Sequence, residues 1–265
     1  MKKKNVRLLI ISLITAFILV VVLCTTTLMR LKDISVEYES TRIYLTDNSS
    51  DLIVEASGFN YNENLLFTKM DKYINNIEKY VPYAKVINIE RKFQNKAIIH
   101  VAERTPVARV RNSTFLGQFT VYDKELKVLN VSNEMNLNKS VGEDKLPIIR
   151  FDNTYQHEID LSVTSGQFLH DEILRYYIAS IADGTYEYNQ MSTTIMSDII
   201  IGKSGGYTIF TISFNNSDIT ANIVGENDLE DKIYNVIKVF SESSGVYSGY
   251  NIGVTYDGIV YQQNN

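Results

Sequence analysis

The chain has one cysteine, no tryptophan, three prolines and three histidines in 265 residues. Each scarcity excludes something. The cysteine, Cys24, lies inside an apolar run, so no disulfide can staple the rest of the chain and no thiolate chemistry is available there. A globular part without cross-links must be stabilised by its core. His100, His157 and His170 are scattered, with no H-x-x-x-H spacing to hold a metal. No G-x-S-x-G elbow is present. Gly202-Lys203-Ser204 is similar to the end of a phosphate-binding loop, but Ser197 stands where that loop needs a glycine. It reads as a strand-to-strand turn. Acid pairs such as Asp228/Glu230 and Glu143/Asp144 are common on solvated surfaces, and glycoside hydrolysis needs a separation that spacing alone does not give. We therefore expect no enzyme, no catalytic residue, no metal and no cofactor or small-molecule substrate.

Charge is unevenly placed. The net charge is -5, yet the first acidic residue is Asp33, and Lys2, Lys3, Lys4, Arg7, Arg30 and Lys32 all precede it. The rest of the chain carries 20 basic against 31 acidic side chains, a net of -11. Nucleic-acid binding rests on neutralising phosphates, so DNA and RNA are excluded as main partners.

Leu8 to Met29 contains no charged residue. At about 1.5 Å per residue such a run spans a hydrocarbon core of roughly 30 Å. The preceding Lys2, Lys3, Lys4 and Arg7 put the N-terminus in the cytoplasm and the bulk outside. The alternative is a cleaved signal peptide, but Thr25-Thr26-Thr27-Leu28-Met29 offers no small-residue cleavage site. Nor is Cys24 a convincing lipidation site after Leu23. We expect a cytoplasmic tail at 1–7 and an uncleaved transmembrane helix at 8–29.

Beyond it, Ile34 to Leu45 reads as a strand, bent near Ser40-Thr41. Asp51 to Ala56 reads as a short helix ending near Gly58. Thr68 is placed to cap a second helix, with Asp71 as its capping-box acid. Met70, Tyr73, Ile74 and Ile77 line one face of that helix, and Pro82 ends it at Val81. Two strands follow. Lys85, Ile87, Ile89 and Arg91 alternate to one side of the first, and Ile99 and Val101 share a face of the second. Phe93-Gln94-Asn95-Lys96 is the turn between them, and Pro106 stops the second strand.

The later half has short strands with polar breaks: Pro106 to Val110, Phe119 to Tyr122 and Lys127 to Val131, the last two joined by Asp123-Lys124-Glu125. Phe168, Leu169, Ile173, Leu174, Tyr177, Ile178 and Ile181 form a helical stripe with Gly184 as its stop. Ile195 to Ile201, Tyr207 to Phe214 and Asp218 to Val224 read as strands. A helix from Asn227 and two terminal strands, Tyr250 to Tyr256 and Ile259 to Gln262, complete the chain.

One stretch is specific. After the helix ending at Val81-Pro82, the chain reads I-x-I-x-R at Ile87, Ile89 and Arg91. It then reads I-x-V-x-E-R-x-P-V-A at Ile99, Val101, Glu103, Arg104, Pro106, Val107 and Ala108. This resembles the end of the POTRA domain in the FtsQ/DivIB family of bacterial cell-division proteins. Ser57-Gly58-Phe59, Asn64 to Phe67, and Leu146-Pro147 resemble further family motifs. Departures are Gln94 in place of a turn proline, Asn62 and Leu126 in place of glycines, and no glycine between the first strand and Gly58.

The resemblance implies an α+β fold: a POTRA domain (β-α-α-β-β) at 30–104, then a mostly antiparallel β domain with two helices at 105–265. It implies a non-enzymatic, single-pass membrane scaffold at the division septum. The implied partners are small bitopic proteins of the FtsB/DivIC and FtsL types. The family's partner-binding edge has a Tyr-Asp-Ser-Gly run in some members. Tyr256-Asp257-Gly258 is similar and one residue shorter, so Tyr256, Gly258 and Val260 become candidate partner-binding residues. Their alternative reading is a packed tyrosine and a turn glycine. Glu103-Arg104 reads either as a surface charge pair worth ~0–1 kcal/mol or as an orienting contact at the domain junction. The alternative function is an exported POTRA-type module for envelope assembly or polypeptide transport, and a third is a wall-modifying enzyme.

Overall fold

The computed structural model describes residues 3–28, 30–65, 68–92, 95–111, 118–133, 137, 139, 142–155, 163–187, 193–242, 250–255 and 258–263. The chain forms two compact units, Met1–Glu103 and Arg104–Asn265.

The first unit begins with α1 (Lys3–Leu28). The transmembrane expectation for 8–29 falls on this helix. Its side chains are described from Ile10 to Leu23, and all of them are exposed. Among the described residues no helix is long and apolar enough to cross a membrane.

The remainder of this unit runs β1 (Asp33–Tyr38), α2 (Ser49–Ser57), α3 (Asp71–Tyr80), β2 (Ala84–Lys92) and β3 (Lys96–Glu103). The three strands form a sheet in the order β1-β3-β2, with β1 parallel and β2 antiparallel to β3. Alternation along β3 buries Ala97, Ile99 and Val101 completely. Both helices contribute to the same core through Ile53, Tyr73 and Ile77. Phe59 stacks on Tyr73 at 4.0 Å. Gly58 ends α2 at φ 69°, a left-handed conformation that glycine adopts without a Cβ penalty.

Three local expectations change. The register of β2 against β3 shifts between Val86 and Asn88, so strict alternation fails there. Val86 is buried, Ile89 packs on the core, and Ile87 is left 45% exposed. The bulge, not a continuous Lys85-to-Arg91 face, decides which isoleucine is inside. Thr68 does not cap α3: its hydroxyl donates to the Asn64 carbonyl at 2.8 Å, and Met70 is the N-cap. The Phe93-Gln94 part of the hairpin turn lies outside the described residues, and Asn95 sits at φ 72°.

The second unit runs β4 (Pro106–Arg111), β5 (Gln118–Asp123), β6 (Val128–Asn133), β7 (Ile148–Phe151), α4 (Glu172–Glu187), β8 (Met196–Ser204), β9 (Tyr207–Phe214), β10 (Thr220–Val224), α5 (Leu229–Glu242), β11 (Tyr250–Thr255) and β12 (Gly258–Gln263). Its nine described strands form one sheet in the order β12-β11-β10-β9-β8-β7-β4-β5-β6. The sheet is mixed: β10-β11, β7-β8 and β4-β7 are parallel, and the other neighbours are antiparallel. Alternate residues of its central strands, such as Ile199, Ile201, Phe210 and Ile212, join the apolar stripes of α4 and α5 in one core.

Gly184 does not stop a helix. α4 continues through it to Glu187, and a Cβ at this position would meet the Glu230 carbonyl of α5 at 2.5 Å. The glycine is there for close helix packing. Leu126 occupies a left-handed turn position (φ 60°) and is fully buried, so its side chain serves the core where the family pattern has glycine. Gly202-Lys203-Ser204 is the end of β8. The two-residue turn Gly205-Gly206, both at positive φ, closes the β8-β9 hairpin as expected for a strand-to-strand connection.

Candidate functional site

Of the sequence-derived candidates, Gly258 opens β12 at φ 126°, opposite Thr255 of β11. Val260 lies in β12 opposite Gly253, and its side chain is outside the described residues. Tyr256 is outside the described residues altogether. β12 stands at the end of the strand order, paired with β11 alone among the described strands. Gly258 is exposed, and a Cβ built on it meets nothing within 4 Å. An edge strand of this kind is chemically suited to accept another strand through its backbone.

The E-R pair is organised in a way the sequence did not disclose. Both oxygens of the Glu103 carboxylate accept the Ile43 amide, at 2.9 and 2.8 Å. Oε1 also accepts the Tyr44 and Leu45 amides at 2.6 Å each. Three successive N–H groups thus converge on one anion, a backbone nest. The Ser40 hydroxyl accepts the Glu103 amide at 3.1 Å. The last residue of β3 in this way fastens the loop after β1.

Arg104 is bound elsewhere. It is 4% exposed and donates to Asp123 at 2.6 Å and Glu125 at 2.8 Å. Asp123 also accepts the Glu125 and Lys127 amides through Oδ1, which shapes the turn. Burial pushes the Asp123 carboxyl above the usual carboxylate range, while the Arg104 guanidinium and the two amides pull it down. Phe168 takes two cations, with Lys127 Nζ 4.3 Å and the Arg104 guanidinium 5.5 Å from its ring centre. Neither sequence reading foresaw this, because a surface pair and a junction contact both assume that Glu103 and Arg104 act together.

A buried polar chain in the second unit also lacked a sequence signal. Tyr155 and Tyr177 hydroxyls hydrogen-bond at 2.8 Å, and Tyr177 and Thr208 both donate to Glu226, at 2.7 and 2.5 Å. Burial and these acceptors hold the Tyr177 phenol protonated far above its ordinary range. His100 lies 3.5–3.9 Å from carboxylate oxygens of Glu37, Glu39 and Glu90. His170 lies just before α4, where Asp171 accepts the Leu174 amide at 2.8 Å. His157 lies outside the described residues. Among the described residues no group of three or more His, Cys, Asp or Glu side chains is placed to hold a metal ion.

After α1 the first unit has a mixed three-stranded sheet and two helices, in the order β-α-α-β-β. Residues 45–104 match the family model for the POTRA domain, FtsQ-type. The chain therefore carries a POTRA domain of the FtsQ type, which supports an FtsQ/DivIB-type protein and, in general terms, a scaffold role in cell division. No curated protein matches the chain.

Proposed function

We propose that this protein is a non-enzymatic, single-pass membrane scaffold of the bacterial division machinery. The observation that carries the reading is the FtsQ-type POTRA match over 45–104. The uncharged run Leu8 to Met29, of which Leu8 to Leu28 lies in α1, supports a membrane anchor, and the basic residues before it support a cytoplasmic N-terminus. In chain order the proposed anchor is followed by the domain at 30–104 and then the domain at 105–265, both proposed to lie outside the cell. The septum is the proposed location. The proposed partners are small bitopic proteins of the FtsB/DivIC and FtsL types.

The proposed mode of binding is strand addition at β12, with Tyr256, Gly258 and Val260 at the contact. The terminal place of β12 in the sheet supports it. The test is a pull-down of the full-length protein from solubilised membranes of the source cell, beside a Gly258→Pro variant. Proline fixes φ near −65°, and Gly258 stands at 126°. Recovery of small single-pass coiled-coil proteins by the wild type, and their loss from the folded variant, is the expected result. Equal recovery by both proteins would remove the β12 mode. Recovery of secretion or envelope-assembly components instead would remove the division reading. A fluorescent fusion of residues 1 to 104 is expected to collect at the septum, and an even distribution around the cell would contradict that placement.

A further inference from the structure

Charge in the first unit is polarised along its sheet. Residues 30–103 carry 10 basic and 11 acidic side chains, close to balance. Half of those cations stand at one end of the sheet: Arg30, Lys32, Arg91, Lys92 and Lys96. They come from two distant stretches of chain that backbone contacts bring together. The Lys32 amide donates to the Asn95 carbonyl at 2.8 Å. Lys96 lies opposite Asp33 of β1 on one side and Lys92 of β2 on the other. Arg30, Lys32, Arg91 and Lys92 are exposed, and Lys96 is half-buried.

Three carboxylates temper this end without cancelling it. Asp33 pairs with Lys96 at 3.2 Å, and Glu90 with Lys92 at 3.6 Å. Glu63 is taken up by the Thr68 and Tyr73 hydroxyls. Five cations against three anions leave an excess of positive charge. Further along the strands the sign reverses. Glu37 lies opposite His100, four residues beyond the Asp33–Lys96 level, with Glu39 after it and Glu103 ending β3. Four strand residues span about 13 Å, more than the Debye length of ~8 Å at physiological salt. The two ends of the sheet therefore present separate fields.

The cationic end is also the end tied to α1. Leu28 is the last residue of α1, and Lys32 follows four residues later. Four residues reach at most about 14 Å, so the Lys32–Asn95 contact keeps the β2-β3 hairpin near the place where α1 ends. With α1 as the anchor, these cations stand within reach of phospholipid headgroups. The chain beyond residue 32 carries a net charge of -11, so an anionic membrane surface repels most of it and attracts this end.

We propose that the cationic end formed by Arg30, Lys32, Arg91, Lys92 and Lys96 binds the anionic headgroups of membrane phospholipids. The inference rests on the membrane-anchor reading of residues 8–29. Ammonium and guanidinium groups donate charge-assisted hydrogen bonds to headgroup phosphates. Glu37, Glu39 and Glu103 are turned away by the same surface, which sets the start of β1 toward the membrane.

The test places the full-length protein in nanodiscs that contain a photoreactive phosphatidylglycerol, and crosslinked residues are mapped by mass spectrometry. Crosslinks on the basic tail before α1 serve as the internal reference. The expected result is crosslinking at 30–32 and on the β2-β3 hairpin, displaced by unlabelled phosphatidylglycerol and not by phosphatidylcholine, and weakened by added salt. Lys92→Gln/Lys96→Gln, shown to be folded by circular dichroism, should lower it about tenfold relative to the tail, the loss expected for two cations at an anionic surface. Lys92→Arg/Lys96→Arg should retain it. Equal crosslinking by the glutamine variant would overturn the proposal, since the lipid would then rest on the flank of α1 alone. Displacement by phosphatidylcholine as readily as by phosphatidylglycerol, seen with the wild type, would overturn it whatever the variants do. Failure of the protein to enter nanodiscs would overturn the anchor reading and this proposal with it, whereas normal entry without the preference would overturn this proposal alone.

Discussion

Glu103 and Arg104 are consecutive in the chain, yet Glu103 binds the amides of Ile43, Tyr44 and Leu45, and Arg104 binds Asp123 and Glu125. One peptide bond therefore joins the closing contact of the first unit to the opening contact of the second. The two side chains are independent anchors with separate jobs.

That independence is testable by hydrogen exchange. Glu103→Ala removes the acceptor of three amides, at a cost of about 1–3 kcal/mol by the usual worth of charge-assisted bonds. Exchange should rise at 43–45 and stay unchanged at 123–127. Arg104→Ala strands the buried Asp123 carboxylate, which costs about 3–5 kcal/mol when one partner of a buried pair is lost. Exchange should then rise at 123–127 and not at 43–45. If either variant raised exchange in both segments, the two anchors would be coupled.

The β2 bulge gives a contrast between neighbouring strands. Ile87 is 45% exposed, whereas Ile99 across the sheet is fully buried. Ile87→Ser is expected to change stability by no more than about 0.5 kcal/mol. Ile99→Ala is expected to cost about 2–5 kcal/mol through the cavity it leaves. Denaturant titrations of the two variants would show this. A large loss from Ile87→Ser would mean that the strand is in the uninterrupted register.

Gly184 makes the matching case in the second unit. A methyl group there would press on the Glu230 carbonyl at 2.5 Å and on the Ile233 side chain at 3.0 Å. Helix propensity alone favours alanine over glycine by about 1 kcal/mol. Overpacking costs typically about 1–3 kcal/mol and should prevail, since one clash is with backbone. Gly184→Ala should therefore lower the midpoint of unfolding. A rise would place Gly184 away from α5.

These contrasts mark where sequence reading succeeds. The β-α-α-β-β order was legible because periodicity, Gly58 and Pro82 are local signals. The buried face of α3 followed from 3.6-residue spacing alone. What was not legible depends on tertiary partners. A bulge shifts register without changing composition, so Ile87 and Ile89 look equivalent in sequence. A glycine that admits a neighbouring helix looks the same as one that ends its own, which is how Gly184 read as a stop. The Glu103 nest joins residues about sixty positions apart, and the receiving amides at Ile43 to Leu45 belong to backbone, which has no side-chain signature.

A final prediction concerns pH. The Tyr73 hydroxyl donates to Glu63 at 2.7 Å, and Tyr73 is 3% exposed. Burial first, then the Glu63 hydrogen bond and charge, push its pKa up from 10.0 to about 12. A raised folded-state value means that the neutral phenol is favoured by folding. This contribution is present in full below pH 10, where the unfolded phenol is also protonated. It declines as the pH rises from 10 through about 12, because the unfolded chain releases the proton first. Tyr73→Phe, which keeps the stacking ring on Phe59 and removes the proton, should flatten stability over that interval relative to wild type. Denaturant midpoints of both proteins, measured from pH 9 to 12, check this. Parallel curves would show that the Tyr73 phenol ionises near its ordinary value and that the Glu63 contact does not hold its proton.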